Sequence, residues 1–137
     1  MSHKGKIMLF FGHRFIDSQK FYHVFDIDTI VTTPPASTIY VEFDETNLDI
    51  IDYLHENSIK FALKVQNITQ LTYASALNAA YIVVEPSLAK TAQKIAENYL
   101  FDAKILAHIE DEEEIEELAL LGIDGVIFPS AVVRVTS

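Results

Sequence analysis

The sequence predicts an α/β fold in which a parallel sheet is built from alternating strands and helices. From Ser37 onward, β-branched and aromatic runs alternate with amphipathic stretches, and the predicted strands end about 20 residues apart, as expected for βα units. Half of the 137 residues are hydrophobic and 22% are charged, which is typical of a globular chain. The length predicts one domain over residues 1–137, with an N-terminal β extension in residues 1–36 and βα repeats in residues 37–130.

The predicted strands are short runs rich in β-branched and aromatic residues, bounded by turn-forming residues. Tyr81–Glu85 is almost continuously apolar, as expected for a parallel strand whose two faces are both covered. In chain order the predicted strands are Ile7–Phe11, Phe21–Phe25, Ser37–Phe43, Phe61–Val65, Tyr81–Glu85, Lys104–Ile109 and Gly125–Phe128.

Four helices are predicted between the later strands, from apolar side chains at helical spacing and from residues that cap helix ends. Leu48, Ile51 and Leu54 form such a stripe in the first helix. The predicted capping residues at the helix starts are Thr46, Asn67 or Thr69, Ser87 and Asp111, and Gly122 is predicted to end the last helix in the left-handed conformation.

Two architectures fit such a series of parallel strands. A complete (β/α)8 barrel needs about 250 residues, so this chain has the length of a half-barrel. The alternative is an open flavodoxin-like sheet, with helices on both faces in three layers. The passage Leu120–Phe128 leads from a helix into a strand as is common in barrels, and it favours the half-barrel. The exposed edges of such a sheet would be covered by the N-terminal strands or by a second chain.

Three passages carry a resemblance to an enzyme family. Val41–Phe43 is similar to a strand that bears a catalytic glutamate, Asn78–Pro86 to the passage Ala-Gly-Ala-Asp-Phe-Ile-Val-Ser-Pro, and Gly125–Ser130 to the strand Lys-x-Phe-Pro-Ala. On these passages, residues 40–130 resemble the 2-keto-3-deoxy-6-phosphogluconate aldolases, which are (β/α)8 Schiff-base enzymes. The resemblance implies a barrel-like fold.

The same resemblance implies a different activity. Val126 stands where the family has its Schiff-base lysine, and Ala62–Val65 replaces the family's Gly-Ala-Gly-Thr stretch. We therefore expect the fold of that family without its aldolase chemistry.

A second resemblance concerns Phe25–Thr29, which reads FDIDT. It is similar to the Asp-x-Asp strand end of haloacid-dehalogenase-type phosphatases. The resemblance implies that Asp26 accepts the phosphoryl group and that Asp28 acts as general acid and base, with Glu110 and Asp111 as the family's acidic pair. The family's Ser or Thr at the next strand end is missing here.

One ionisable residue lies near the carboxyl end of each of four predicted strands, namely Glu42, Lys64, Glu85 and His108. If the strands are neighbours in chain order, these side chains form one row at the edge where α/β proteins bind ligands. Glu42, Lys64 and His108 are the candidate catalytic residues, as acid or base, amine nucleophile and proton shuttle. Lys64 and Glu85 are the candidate ligand-binding residues, for a small anion. The structural alternative is a charge ladder with Lys64 between two carboxylates.

The net charge of −10 argues against nucleic acid or an anionic membrane as a partner. Seven acidic residues in Glu110–Glu117 contribute most of it, and we interpret them as the capped, anionic start of a helix. His13 and Arg14 are interpreted as part of a solvated loop. The sequence has no cysteine and no zinc-ligand spacing, so no metal and no cofactor are predicted.

Six aromatic residues lie between Phe10 and Phe25, and they predict either a plug for the open sheet or a dimer contact. The favoured function is a non-catalytic domain that self-associates as a homodimer, through its sheet edge or its aromatic N-terminus. The first alternative is a protein or lyase that binds a small keto acid or phosphate at the strand ends, and the second is the phosphatase. No apolar run has the roughly 20 residues of a membrane span, and the N-terminus lacks a signal-peptide pattern. A cytoplasmic location is expected.

Overall fold

The chain folds around a single parallel sheet. A computed structural model describes residues 6–136. The strands are β1 Leu9–Phe11, β2 Phe21–His23, β3 Thr38–Glu42, β4 Phe61–Lys64, β5 Tyr81–Val84, β6 Lys104–His108, β7 Gly125–Ile127 and β8 Val132–Arg134. They form an 8-stranded sheet in the order β1-β7-β6-β5-β4-β3-β2-β8, and every pair of neighbours is parallel. The strands from β3 to β7 are thus neighbours in chain order, as predicted.

Helices connect the central strands of this sheet. Within residues 6–136 the α-helices are α1 Leu48–Glu56, α2 Ile68–Ala76, α3 Pro86–Asn98 and α4 Ile115–Leu121. Short 3₁₀ helices occupy Asp28–Thr32, Glu45–Asn47, Glu112–Glu114 and Pro129–Ala131. In the described part of the chain, no helix is long and apolar enough to cross a membrane.

The helix starts differ from the predicted ones at two places. Asp44, and not Thr46, provides the first cap: its side chain accepts a hydrogen bond of 2.9 Å from the Thr46 N–H, because a 3₁₀ turn precedes α1. Pro86 is the first residue of α3, where its missing N–H leaves no bond unmade, so Ser87 is not the cap. Asn67 caps α2 by accepting a 2.8 Å bond from Gln70, as one of the two predicted choices.

All four helices pack on one face of the sheet. Ile51, Leu71, Ala92 and Leu118, one from each helix, share a core with the outward-facing side chains of the strands. The buried cluster on the opposite, inner face contains no residue of an α-helix among the described residues. Because a flavodoxin-like sheet carries helices on both faces, that alternative is wrong, and the predicted half-barrel of parallel βα units is confirmed.

The sheet curls until side chains from its two ends meet inside. Phe11 of β1 and Phe21 of β2 belong to opposite ends of the sheet, yet their ring centroids lie 5.0 Å apart. Both rings also contact Tyr81 of β5, at 5.5 and 5.3 Å. The inner face is therefore a packed core, and Phe11 and Phe21 provide the plug that the N-terminal aromatic residues predicted.

The last strand, β8, has no counterpart among the predicted elements. This strand is only three residues long, which is too short for an alternating pattern to be recognised. β8 pairs with β2, with Val132 opposite Phe21, and β1 pairs with β7. Both flanks of the regular βα repeats are thus covered by segments of the same chain, which protects edges that would otherwise invite pairing with other chains.

Candidate functional site at the carboxyl ends of the strands

The four candidate residues lie side by side at the carboxyl ends of neighbouring strands. Glu42, Lys64 and His108 are the last residues of β3, β4 and β6, and Glu85 follows β5 directly. Period-2 alternation places them on the inner face of the sheet, above the packed core. The parallel register sets Glu42 opposite Lys64. We call this row of four side chains the rim.

Glu85 connects its two neighbours in the rim. Its Oε2 atom accepts a 2.7 Å hydrogen bond from Lys64 Nζ and lies 3.5 Å from His108 Nδ1. The side chains of Lys64 and His108 are each 24% exposed, whereas that of Glu85 is 54% exposed. The hydrogen bond from Lys64 holds the pKa of Glu85 below its usual range, against the opposing effect of partial burial. Glu85 is therefore an ionised carboxylate on the solvent side of two half-buried donors.

Glu42 is placed differently from Glu85. It is exposed, and among the ion pairs of residues 6–136 Lys64 engages Glu85 and leaves Glu42 unpaired. Only one half of the predicted charge ladder is therefore formed. Glu42 therefore adds an unpaired negative charge on the β3 side of the rim.

Two further side chains, His23 and Arg134, belong to this end of the sheet and were missed by the sequence patterns. The His23 ring lies 4.9 Å from the Tyr40 ring and 4.3 Å from the Phe25 ring. Arg134 is the register partner of His23 across β2 and β8, and its guanidinium carbon lies 4.6 Å from the centre of the Phe25 ring. Period-2 alternation along β2 could have placed His23 on the same face as Phe21. Arg134 could not be placed, because β8 itself was not predicted.

Tyr40 forms the floor beneath the rim. Burial raises the pKa of the Tyr40 hydroxyl well above its ordinary value, and the negative charges of Glu42 and Glu85 raise it further. The hydroxyl therefore stays protonated at neutral pH. It offers a neutral donor and acceptor below the charged row.

Burial also shapes the titration of His23. Loss of hydration lowers the pKa of its imidazole, because a charged ring is poorly solvated there. The cations Arg134 and Lys64 lower it further, and Glu42 acts in the opposite direction. Since the folded chain binds the proton less readily than the unfolded chain, the unfolded state takes up more protons once the pH falls below the ordinary value of 6.5.

On account of His23, the free energy of unfolding is therefore expected to decrease as the pH falls through the ordinary value of 6.5. Urea unfolding between about pH 5 and pH 7, followed by circular dichroism, measures this slope. His23→Gln should flatten it, whereas His55→Gln, at an exposed position on α1, should leave it unchanged. An equal slope in the parent and the His23 variant would contradict the assignment.

The loop between β1 and β2 is fixed to the acidic run. Arg14 Nε donates a 2.7 Å hydrogen bond to Glu112, and His13 Nε2 lies 3.4 Å from the same carboxylate. The bond from Arg14 lowers the pKa of Glu112. The loop is thus an internal partner of the acidic segment, while the Arg14 side chain stays 72% exposed, as the prediction of a solvated loop requires. The capping role is confirmed, since Asp111 accepts a 2.9 Å bond from the Glu113 N–H.

Comparison with known proteins supplies no family from which to transfer a site. No family model matches the chain, and no curated protein does. Across residues 6–136, no group of three or more His, Asp or Glu side chains is arranged to hold a metal ion.

The residues behind the two resemblances have structural surroundings of their own. Val126, at the position of the Schiff-base lysine, is buried in the core between sheet and helices, so its side chain points away from the rim. Asp26 accepts a 2.9 Å hydrogen bond from the Thr29 N–H and so supports the 3₁₀ helix that begins at Asp28. Phosphoryl transfer by Asp26 and Asp28 stays a prediction.

Proposed function

We propose that this chain binds a small carboxylate- or phosphate-bearing molecule at the rim. The observation that carries the proposal is the convergence of Lys64 and His108 on one oxygen of Glu85, at 2.7 and 3.5 Å. Three adjacent strands thus bring one ammonium donor, one imidazole and one carboxylate to a single point. The core below is already filled by apolar and aromatic side chains, so this cluster is not required to complete it.

Glu85 acts in this proposal as an internal stand-in for the ligand. Its carboxylate occupies the donors of Lys64 and His108, and it is the most exposed of the three side chains. A glutamate on the solvent side can rotate away while the two donors stay in place. An entering carboxylate or phosphate then takes over charge-assisted bonds of the same kind, which are stronger than neutral ones. The ligand class follows from this exchange, because only an acceptor-rich anion replaces a carboxylate bond for bond.

Isothermal titration with pyruvate and with inorganic phosphate tests the proposal. Lys64→Ala is expected to weaken binding by at least about tenfold, since it removes a charge-assisted bond. Glu85→Gln is expected to strengthen binding by about threefold or more, because a neutral amide competes less well for Lys64 and His108. The matched control is Lys104→Ala, which removes an exposed lysine at the opposite, amino end of β6 and should change nothing.

The signs of the two rim variants separate binding from a purely structural role. A structural ion pair predicts that Lys64→Ala and Glu85→Gln lower the melting temperature alike and that neither anion gives binding heat. Tight binding of one anion only would identify the ligand as a keto acid or as a phosphate. Absence of saturable heat with both anions for the parent and for Glu85→Gln would overturn the proposal.

Self-association as a homodimer and a cytoplasmic location are separate proposals. The exposed aromatic side chains Phe15 and Phe25 support a dimer contact, since they are 70% and 45% exposed and aromatic residues are enriched in interface cores. Phe11 and Phe21 do not contribute to it, because both are buried inside the sheet.

A further inference from the structure

A large cleft opens outside the sheet, between the start of α1 and the exposed side of α2. Its volume is about 720 Å³, within the range of small-molecule sites. The loops that follow β3 and β4 form its walls, so it opens at the ligand-binding end of the fold. Five apolar or aromatic side chains line it, namely Phe43, Leu48, Tyr73, Ala76 and Leu77. Leu48 and Tyr73 are 39% and 53% exposed although they face a concave surface.

The aromatic part of the cleft is a pair of rings. The centroids of Phe43 and Tyr73 lie 6.1 Å apart, and the ring planes are inclined by 33°. Phe43 belongs to the chain segment after β3, whereas Tyr73 lies on α2. Two π faces from different elements thus border the same space.

The cleft is also anionic. Glu42, Asp44 and Glu45 line it, and no lysine or arginine is among the described residues that line the cleft. None of these three carboxylates takes part in an ion pair within residues 6–136. The backbone N–H and hydroxyl of Thr46 donate to Asp44 and hold the pKa of that carboxyl below its usual value, so it remains charged in mildly acidic solution.

Aromatic faces and carboxylates in one cleft together select for one class of ligand. Ring faces attract cations, and carboxylates repel anions. A neutral apolar ligand that covered the carboxylates would remove their hydration and offer no compensating interaction. A bare divalent ion has no group of three ligands here within residues 6–136 and would leave the apolar wall unused. We propose that the cleft between α1 and α2 binds an organic cation, an ammonium group on an apolar or aromatic body, with the ammonium toward Glu42 and Glu45 and the body against Tyr73, Phe43 and Leu48.

This site differs from the rim in ligand charge and in most of its residues. Only Glu42 lies at the border of both. The two proposals can therefore fail separately. Absence of anion binding at the rim would not affect the proposal for the cleft, and absence of cation binding in the cleft would not affect the proposal for the rim.

Benzylamine is a suitable probe, with benzyl alcohol and benzoate as neutral and anionic matches of the same size. Two-dimensional ¹H–¹⁵N NMR titration of the full chain locates binding, and the shifts give the affinity. We expect benzylamine to shift the backbone signals of Leu48, Thr69 and Tyr73, with benzyl alcohol at least about tenfold weaker and benzoate without effect on them. Added salt should weaken benzylamine binding.

Variants at exposed positions test the aromatic and the acidic side chains of the cleft without disturbing the core. Tyr73→Ala should weaken benzylamine binding about tenfold through loss of the cation–π and apolar contacts, and Glu45→Gln about threefold through loss of one charge. The matched controls are Tyr99→Ala and Glu56→Gln, at exposed positions outside the cleft. Lys64→Ala should also leave this affinity unchanged.

Three outcomes would overturn the inference. The first is a dissociation constant of benzylamine above about 10 mM, and the second is equal binding of benzyl alcohol. The third is shifts confined to the rim and abolished by Lys64→Ala. Loss of affinity in Tyr73→Ala with affinity retained in Tyr99→Ala, both with the circular dichroism spectrum of the parent, supports it.

Discussion

Replacement of Phe21 by alanine is expected to lower the free energy of unfolding by about 3–5 kcal/mol. Phe21 is fully buried, and its ring meets those of Phe11 and Tyr81 edge to face at 5.0 and 5.3 Å. These rings come from β2, β1 and β5, so the substitution opens a void where both ends of the curled sheet meet its middle. Partial relaxation cannot fill the space, because each neighbour is held by its own strand.

Urea unfolding at neutral pH measures the loss, and Phe15→Ala is the matched control from the same aromatic segment. Phe15 is 70% exposed, so its removal should cost less than about 1 kcal/mol. Similar losses in the two variants would show that Phe21 does not join the ends of the sheet. A lower m-value in Phe21→Ala alone would indicate that the native sheet opens partly before it unfolds.

The regular part of the fold was predictable because its signals are local and repeated. Strand and helix periods alternate from Ser37 onward, and capping residues mark several of the helix ends. Gly122 ends α4 with a φ of 85°, the left-handed conformation that glycine adopts without strain. Parallel strands joined by such units pair in chain order by right-handed crossovers, and the structure shows that order.

The closure of the sheet was not predictable in the same way. β1, β2 and β8 have three residues each, so alternation along them is barely defined. Their partners lie far along the chain, as in the pairing of Phe21 with Val132. Local propensity carries no information about such contacts. The aromatic residues near the N-terminus predicted either a plug for the sheet or a dimer contact. Only the three-dimensional structure shows that Phe11 and Phe21 are buried while Phe15 is exposed.

The candidate site, too, was predictable only in part. Glu42, Lys64, Glu85 and His108 were found because each ends a well-predicted strand. Their hydrogen bonding was not predictable, since the choice of Glu85 over Glu42 by Lys64 depends on side-chain conformation and not on register. The cleft between α1 and α2 left no sequence signal, because its lining residues read as ordinary helix-face and loop residues.

A buried polar network at the other end of the sheet also escaped the sequence patterns. Asp124 is 8% exposed, and its Oδ2 accepts a 2.8 Å hydrogen bond from the backbone N–H of Ile105. Its own N–H donates to the buried amide oxygen of Gln93 at 2.9 Å, and Lys6 lies 3.1 Å from its other carboxylate oxygen. The network ties α3, β6 and the entry to β7 to the segment before β1.

Asp124→Ala is expected to lower the free energy of unfolding by about 2–4 kcal/mol, because it leaves the buried Ile105 N–H without an acceptor. Asp124→Asn keeps an oxygen for that bond and should cost less. Lys6→Met should cost no more than about 1 kcal/mol, since the Lys6 side chain is 43% exposed and exposed ion pairs contribute little. Amide hydrogen exchange gives the decisive comparison: Ile105 should exchange faster in Asp124→Ala by more than the global loss of stability explains. Equal losses in the Lys6 and Asp124→Ala variants would mean that the ion pair, and not the bond to β6, carries the energy of the network.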